Sequence, residues 1–339
     1  MERVTADAAG EYLQRAGVVP GEATTEARTL GGGVSNTVVE VSWDGGCLVV
    51  KQPLANLAVE DDWPADVERV HNEAAAARAY ADVIDREGLS GACVPSVAYE
   101  DREEHVIALK CAPPDARTWK ANLLDGQVEP EVARTVGRLL GAVHRSAAGD
   151  GALRERFASK RPFDQLRIDP YHRTTARRHP DVADEIRAEL DRIAGVERTL
   201  VHGDYSPKNV LVEPERDRVW ILDFEVAHWG DPAFDVAFMC NHLFIKSVYN
   251  RGRHDAYVEA AFAFRDAYRE RVDWPFEAAT VRELGVLMLA RVDGKSPVQY
   301  VTREAVTDAL RRIAKRALTE DVDDIDAFAA LTDEEVAAL

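Results

Sequence analysis

The feature that most constrains this chain is a polar segment between short apolar runs, in a region that otherwise predicts helices. It reads HGD at 202–204, continues to Asn209, and is followed after an apolar run by DFE at 223–225. Phosphoryl transfer from a nucleotide needs a carboxylate to accept the proton of the attacking hydroxyl, and hard oxygen ligands to hold Mg²⁺. The spacing of these acids matches that layout. We assign Asp204 to the first task and Asn209, Asp223 and Glu225 to the second.

A glycine-rich turn and a lysine in the first third of the chain suit the same chemistry. Gly31, Gly32 and Gly33 lie between two predicted strands, where glycine lets backbone amides approach phosphate oxygens. Lys51 ends a predicted hairpin about twenty positions later, where a kinase places the lysine that contacts the nucleotide phosphates. Glu73 lies in the next predicted helix and could pair with Lys51. Each feature alone is common elsewhere, and their order along the chain points to nucleotide binding.

Secondary-structure signals change in character near residue 112. Upstream, strands are predicted at 26–30, 37–43, 47–53, 94–99 and 105–111, with helices over 5–16 and 65–87. Beyond the Pro-Pro pair at 113–114 the predicted helices are 130–147, 181–194, 233–249, 253–271, 276–292 and 302–317. We therefore predict an α+β, bilobal, protein-kinase-like fold, with a nucleotide-binding N-lobe over 1–112 and a C-lobe over 113–339. ATP would lie between the lobes, where Lys110 and Ala112 contact adenine through backbone groups.

Composition excludes several classes of protein. The chain has 339 residues, of which 60 are acidic and 42 basic, so its formal net charge is −18. A chain this acidic repels a phosphate backbone, and a nucleic-acid partner is not expected. The first residues lack a signal-peptide core, and no apolar run is long enough for a membrane span. We predict a cytoplasmic monomer or homodimer without a membrane partner, in which Cys47, Cys93, Cys111 and Cys240 are reduced thiols.

These motifs resemble those of the aminoglycoside phosphotransferase/choline kinase superfamily of small-molecule kinases. The stretch 200–209 is similar to its HGD-x-x-x-x-N loop, and GDPAFD at 230–235 is similar to its G-D-P-x-x-D element. Within the superfamily the chain looks most like the methylthioribose kinases, in the glycine loop ending at Asn36 and in the D-x-E pair that begins at Asp223. It departs from them at Asn209, where they carry Ser, and at Arg291, where they carry two adjacent arginines.

The resemblance implies ATP and Mg²⁺ as cofactors and a hydroxyl of a small sugar-like molecule as the acceptor. It adds Asn36 to the nucleotide site and Arg291 to the acceptor site, where Lys208 of the catalytic loop is a second candidate. Two alternatives stay open. One is an antibiotic-modifying phosphotransferase with a polycationic acceptor, with which the acidity of the chain is compatible. The other is a kinase-like protein that binds nucleotide without turnover, against which the intact Asp204 and Lys51 speak.

Overall fold

The predicted α+β architecture is confirmed by a computed structural model, which describes residues 3–31, 35–58, 63–214 and 218–339. The strands are β1 (Glu26–Thr29), β2 (Asn36–Trp43), β3 (Gly46–Pro53), β4 (Ala92–Cys93), β5 (Val97–Asp101), β6 (Val106–Lys110), β7 (Arg117–Thr118), β8 (Thr199–Val201), β9 (Val210–Glu213), β10 (Arg218–Ile221) and β11 (His228–Gly230). The α-helices are α1 (Ala6–Arg15), α2 (Arg69–Glu87), α3 (Trp119–Leu124), α4 (Pro130–Ala147), α5 (Gly151–Arg156), α6 (Arg161–Phe163), α7 (Thr174–Arg178), α8 (Ala183–Gly195), α9 (Ala233–Tyr249), α10 (His254–Arg269), α11 (Glu277–Asp293), α12 (Glu304–Thr319) and α13 (Ile325–Ala337). Among these described helices, none is both long and apolar enough to cross a lipid bilayer.

The N-terminal part is an antiparallel sheet of five strands in the order β1-β2-β3-β6-β5. The predicted hairpin forms its centre, with Val39 opposite Val50 in the register of β2 and β3. Alternate residues of these strands face a small core, in which Val41 and Val50 are buried together with Leu13 of α1. The period-two pattern thus buries one face of the sheet, and the register of the strands determines where Lys51 and its neighbours lie.

The C-terminal part is mainly helical and surrounds two small sheets, β4-β10-β9-β7 and β11-β8. Helices α4, α9, α10 and α11 form most of its core. α4 and α10 approach closely at Gly137, where an added Cβ would lie 2.2 Å from the carbonyl oxygen of Phe264. The short strands β8, β9 and β10 flank the acidic motifs, so the segment that the sequence singles out is held on a rigid support.

The largest difference from the predicted elements lies between α5 and α8. The sequence predicts no helix there, but the structure has α6, a π-helical segment at Asp164–Arg173, and α7. Pro162 and Pro170 interrupt the regular helical pattern, because proline removes a backbone donor and fixes φ. The turns α3 and α5 and the terminal helix α13 were also not predicted, and α2 begins at Arg69 rather than at residue 65.

The prediction that all four cysteines are reduced is wrong for one pair. Cys47 and Cys111 form a disulfide with their Cα atoms 5.5 Å apart, whereas Cys93 and Cys240 are free thiols. The register explains the pairing, because Leu48 of β3 lies opposite Lys110 of β6 and the next positions outward are the two cysteines. A sequence separation of 64 residues conceals this proximity.

Candidate active site

Asp204 lies in a sharp turn after β8, and the backbone there depends on glycine. Gly203 has φ +77°, and a Cβ at this position would lie 2.8 Å from the carbonyl oxygen of Val226. The Asp204 side chain is 2% exposed, and its Oδ1 finds no hydrogen-bond partner among the described residues. A buried carboxylate oxygen without a donor is rare in a folded protein and indicates a place for a ligand.

The other oxygen of Asp204 is fully occupied. Oδ2 accepts hydrogen bonds from Asn209 Nδ2 at 2.8 Å and forms ion pairs with Arg167 Nη2 at 2.9 Å and Lys208 Nζ at 2.8 Å. These donors fix the orientation of the carboxylate and leave Oδ1 for an incoming hydroxyl. Arg167 is a site residue that the sequence did not reveal, since it lies in the π-helical segment where no helix was predicted.

A second buried carboxylate positions the catalytic turn. Asp235 at the start of α9 accepts the backbone N–H groups of His202 and Gly203, at 2.6 and 2.8 Å. Burial acts to raise the pKa of Asp235, but its hydrogen bond with His144 and these backbone contacts hold that pKa below its usual value. Asp235 is the last residue of the GDPAFD stretch that the sequence analysis identified. Its contacts with the catalytic turn could be seen only in the structure.

His202 supports the turn and does not face a substrate. Its Nδ1 accepts the backbone N–H of Asp204, so Nε2 carries the ring proton and donates to the carbonyl oxygen of Leu222. Burial lowers the pKa of His202, which therefore stays neutral near pH 7. A neutral ring is required for both hydrogen bonds at once.

Lys51, Glu73 and Asp223 form one buried cluster. Lys51 Nζ lies 2.6 Å from Glu73 Oε1 and 2.9 Å from Asp223 Oδ1. Although burial alone would lower the pKa of Lys51, Asp223 and Glu73 raise it, so the lysine is charged. Burial opposes the charge of Asp223 as well, yet Lys51 and Lys208 hold its pKa well below the usual range. The structure therefore brings together the lysine–glutamate pair that the sequence analysis anticipated and places Asp223 beside it.

Glu225 joins the segment at 223–225 to the start of β2. Its Oε2 accepts Asn36 Nδ2 at 2.9 Å and Arg69 Nε at 3.0 Å. The Arg69 guanidinium is fully buried and also donates to the backbone carbonyls of Ser35, Leu54 and Asp66. Glu225 is thus an anchor for the strand that follows the glycine loop, and its second oxygen is the one left for a metal ion.

The residues present fit a divalent cation with oxygen ligands. The amide nitrogen of Asn209 donates hydrogen bonds to Asp204, so the side-chain carbonyl oxygen of Asn209 is the atom that can act as a metal ligand. Asp223 is ionised and takes up the left-handed backbone conformation, with φ 69°, which few residues other than glycine, asparagine and aspartate adopt readily. Carboxylate and amide oxygens are the ligands that Mg²⁺ prefers.

The structure describes three of the remaining predicted nucleotide contacts, Gly31, Lys110 and Ala112. Gly31 is exposed with open space around it, whereas Gly32 and Gly33 lie outside the described residues. Lys110 ends β6, and its backbone N–H donates to the carbonyl oxygen of Ser96 at 2.9 Å, so only its carbonyl group remains for a nucleotide. Ala112 is partly buried and comes directly after the disulfide-bonded Cys111.

Arg291 lies near the end of α11 and is linked to the Asp204 site through Tyr171. Its Nη1 contacts Ser296 and lies 3.4 Å from the hydroxyl of Tyr171, and its buried Nε finds no partner among the described residues. Gly294 follows α11 in an extended conformation. These partners lie outside α11, so Arg291 does more than cap its own helix.

Comparisons with known proteins agree with this geometry. Residues 26–275 match the phosphotransferase enzyme family. A spectinomycin phosphotransferase solved with ADP and spectinomycin has a TM-score of 0.54 at 12% identity, over 98% of this chain and 100% of that chain. An amicoumacin kinase solved with AMP-PNP and Ca²⁺ has a TM-score of 0.55 at 14% identity, over 93% of this chain and 94% of that chain. At such identities the likeness shows a shared kinase-like fold.

One curated relative shares a short segment. Acyl-CoA dehydrogenase family member 10 of Mus musculus is 42% identical over 50 residues, which are 14% of this chain and 5% of that protein. The chain therefore spans only a small part of that relative. The family match covers most of the chain and contains the whole acidic site from Lys51 to Glu225. The chain belongs to the phosphotransferase enzyme family.

Proposed function

We propose that the protein transfers the γ-phosphoryl group of Mg²⁺-ATP to a hydroxyl of a small sugar-like acceptor, in the manner of a methylthioribose kinase. Membership of the phosphotransferase enzyme family supports a small-molecule hydroxyl as the acceptor. The observation that carries the proposal is the free Oδ1 of Asp204 beside a fully bonded Oδ2. Because such a reaction consumes ATP, we also propose a cytoplasmic location.

Asp204 acts in this proposal as the general base. The acceptor hydroxyl donates to Oδ1, and its proton passes to that oxygen as the acceptor oxygen bonds to the γ-phosphorus and the bond to ADP breaks. Arg167 and Lys208 hold the carboxylate in one orientation before the reaction, because both contact its Oδ2. Lys208 is half-exposed beside Asp204, so it is also placed to contact the transferred phosphoryl group.

Lys51, Asn209 and Asp223 form the nucleotide end of the site. Lys51 is charged and held by Glu73, which suits contact with the phosphates of ATP. Mg²⁺ would be held by Asn209 and Asp223, with Glu225 contributing its free oxygen, and when bound it neutralises phosphate charge. The presence of all these groups argues against the alternative of a kinase-like protein without turnover.

The proposal is tested by replacing Asp204 with Asn and measuring ADP release over a panel of pentoses, hexoses, methylthioribose and aminoglycosides. We expect turnover to fall by about 10²–10⁴-fold, because general-base catalysis is lost, with the calorimetric affinity for Mg²⁺-ATP nearly unchanged. Asp181→Asn is the matched control, since Asp181 is an exposed carboxylate paired with Lys315. Full activity of Asp204→Asn on the best acceptor would refute the assignment, and turnover confined to aminoglycosides would favour the antibiotic alternative.

A further inference from the structure

Lys246 is a buried cation without a counter-ion. It lies on α9, is 1% exposed, and donates from Nζ to the carbonyl oxygen of His242 at 3.1 Å. The same Nζ lies 5.3 Å from the ring centroid of Tyr300. Among the described residues no carboxylate forms an ion pair with Lys246, whereas the buried Lys51 pairs with two. A buried charge left unpaired is costly, so this position suits a lysine best when an anion reaches it.

The charges of two more basic side chains act on Lys246, and α9 packs against α11, which carries one of them. Lys120 comes from α3 and Arg291 from α11, and we call these three residues the cation cluster. Burial, followed by the charges of Lys120 and Arg291, lowers the pKa of Lys246 to about 7. Burial also lowers the pKa of Lys120, with Arg291 and Lys208 adding to the effect. The guanidinium of Arg291 contacts only the uncharged oxygens of Tyr171 and Ser296 in the described structure.

The cation cluster is connected to Asp204 through Tyr171. Arg291 lies 3.4 Å from the Tyr171 hydroxyl, and Arg167, the ion-pair partner of Asp204, lies 5.8 Å from the centroid of the same ring. On the other side, α3 packs against the turn at 207–209 and so brings Lys120 toward the catalytic loop. Through Tyr171 and α3 the cluster borders the catalytic loop and Asp204, and we assign it to the acceptor end of the site.

We propose that the acceptor is an anion: a small hydroxylated molecule whose carboxylate or phosphate binds the cation cluster while one of its hydroxyls reaches Asp204. This inference rests on the proposed phosphotransferase function and narrows the sugar-like acceptor to an anionic one, which excludes the neutral methylthioribose itself. An oxyanion would supply the missing counter-ion of Lys246 and accept hydrogen bonds from the forked donors of Arg291. A polycationic aminoglycoside would be repelled by the cation cluster, although the protein as a whole carries a net charge of −18.

Binding is measured by calorimetry on the protein saturated with Mg²⁺ and a non-hydrolysable ATP analogue. The probes share one skeleton and differ in charge: glucose, gluconate, glucose phosphorylated on its primary hydroxyl, and glucosamine. We expect gluconate or the phosphate ester to bind at least about tenfold more tightly than glucose, and glucosamine to bind most weakly. The comparison of the two anions tells a carboxylate site from a phosphate site.

Lys246→Met should reduce the affinity for the preferred anion by about tenfold or more, with the affinity for glucose unchanged. Lys315→Met is the matched control, because Lys315 is a surface lysine paired with Asp181, and it should change no affinity. Arg291→Gln provides a second variant if Lys246→Met does not fold. Equal affinity for glucose and both anions, tighter binding of glucosamine, or no binding of either anion would overturn the inference.

A separate readout tests the underlying function. Binding of the ATP analogue must depend on Mg²⁺ and on Asp223, whatever the acceptor. Binding of the analogue without Mg²⁺, or binding unchanged in Asp223→Ala, would refute the phosphotransferase proposal. Neutral acceptors that bind and are phosphorylated as well as anions would refute only the inference that the acceptor is an anion.

Discussion

Arg167 and Asp204 form a buried ion pair in which Arg167 Nη2 lies 2.9 Å from Asp204 Oδ2. Arg167 also donates from Nε to the carbonyl oxygen of Gly203 at 2.8 Å. One guanidinium thus contacts both the side chain of the proposed base and the backbone that carries it. The planar fork of arginine makes these two contacts in fixed relative positions, which a lysine cannot reproduce.

Arg167→Lys should therefore lower kcat by roughly 10–100-fold, since losing a hydrogen bond to a charged group costs about 1.5–3 kcal/mol. KM for ATP should stay within about twofold, because Arg167 does not touch the nucleotide end of the site. Steady-state kinetics and the melting temperature are measured together. Arg173→Lys is the control, as Arg173 lies in the same π-helical segment but pairs with Asp164 at the surface. A kcat equal to that of the parent would exclude a positioning role for Arg167.

Asp223 and Glu225 should differ in their effect on nucleotide binding. Asp223→Ala is expected to abolish Mg²⁺-dependent binding of ATP, because the metal loses an ionised ligand beside the phosphates. Glu225→Gln keeps an oxygen acceptor for Asn36 and Arg69, and we expect the Mg²⁺ affinity to fall by less than about tenfold. Calorimetry at several Mg²⁺ concentrations separates the two. Equal losses in both variants would show that Glu225 is a full metal ligand.

The disulfide between Cys47 and Cys111 should contribute to stability. It closes a loop with a sequence separation of 64, for which the chain-entropy estimate is about 4 kcal/mol. The double variant Cys47→Ser, Cys111→Ser should lose up to that amount in urea unfolding, and dithiothreitol should have the same effect on the parent. Cys93→Ser is the control, since Cys93 is a free thiol. A parent protein whose unfolding midpoint ignores the reductant would contradict the pairing.

His228 should make the protein less stable in acid. Burial lowers its pKa to about 4, from an ordinary value of 6.5, while the ring stacks on Phe163 at 3.9 Å. Between these two values the unfolded chain binds a proton that the folded chain does not. The free energy of unfolding should therefore contain the full contribution of the neutral ring above pH 6.5. As the pH is lowered toward 4, that free energy should fall by up to about 3 kcal/mol.

His228→Asn checks this prediction. Asparagine can retain a donor to the carbonyl oxygen of Val226, which His228 Nδ1 contacts at 3.0 Å, but it does not titrate. The free energy of unfolding is measured in urea at a series of pH values from neutral to acidic. The variant should be less stable at pH 7 and should show a flatter dependence below pH 6.5. Parallel curves for parent and variant would mean that His228 binds its proton equally in both states.

Much of the architecture could be predicted because it is local. The period-two runs around the Asp-Gly-Gly turn predicted β2 and β3, and the helical periodicity predicted α4, α9 and α11 to within a few residues. The spacing of Asp204, Asn209 and Asp223 was informative for the same reason, since the short strands between them leave few ways to place the acids.

The sequence by itself thus determined the α+β order of the main strands and helices, the phosphotransferase family and the acids proposed for the chemistry. Only the tertiary structure decided which side chains meet: Arg167 with Asp204, Asn36 and Arg69 with Glu225, and Cys47 with Cys111. It also places Lys246 where no carboxylate of the described residues forms an ion pair with it. Periodicity reports which face of an element is buried, but not what lies against that face. These partners, 37 (204 − 167) to 189 residues apart, are chosen by how helices and sheets pack, and burial and neighbouring charges then set the charge that each ionisable group carries.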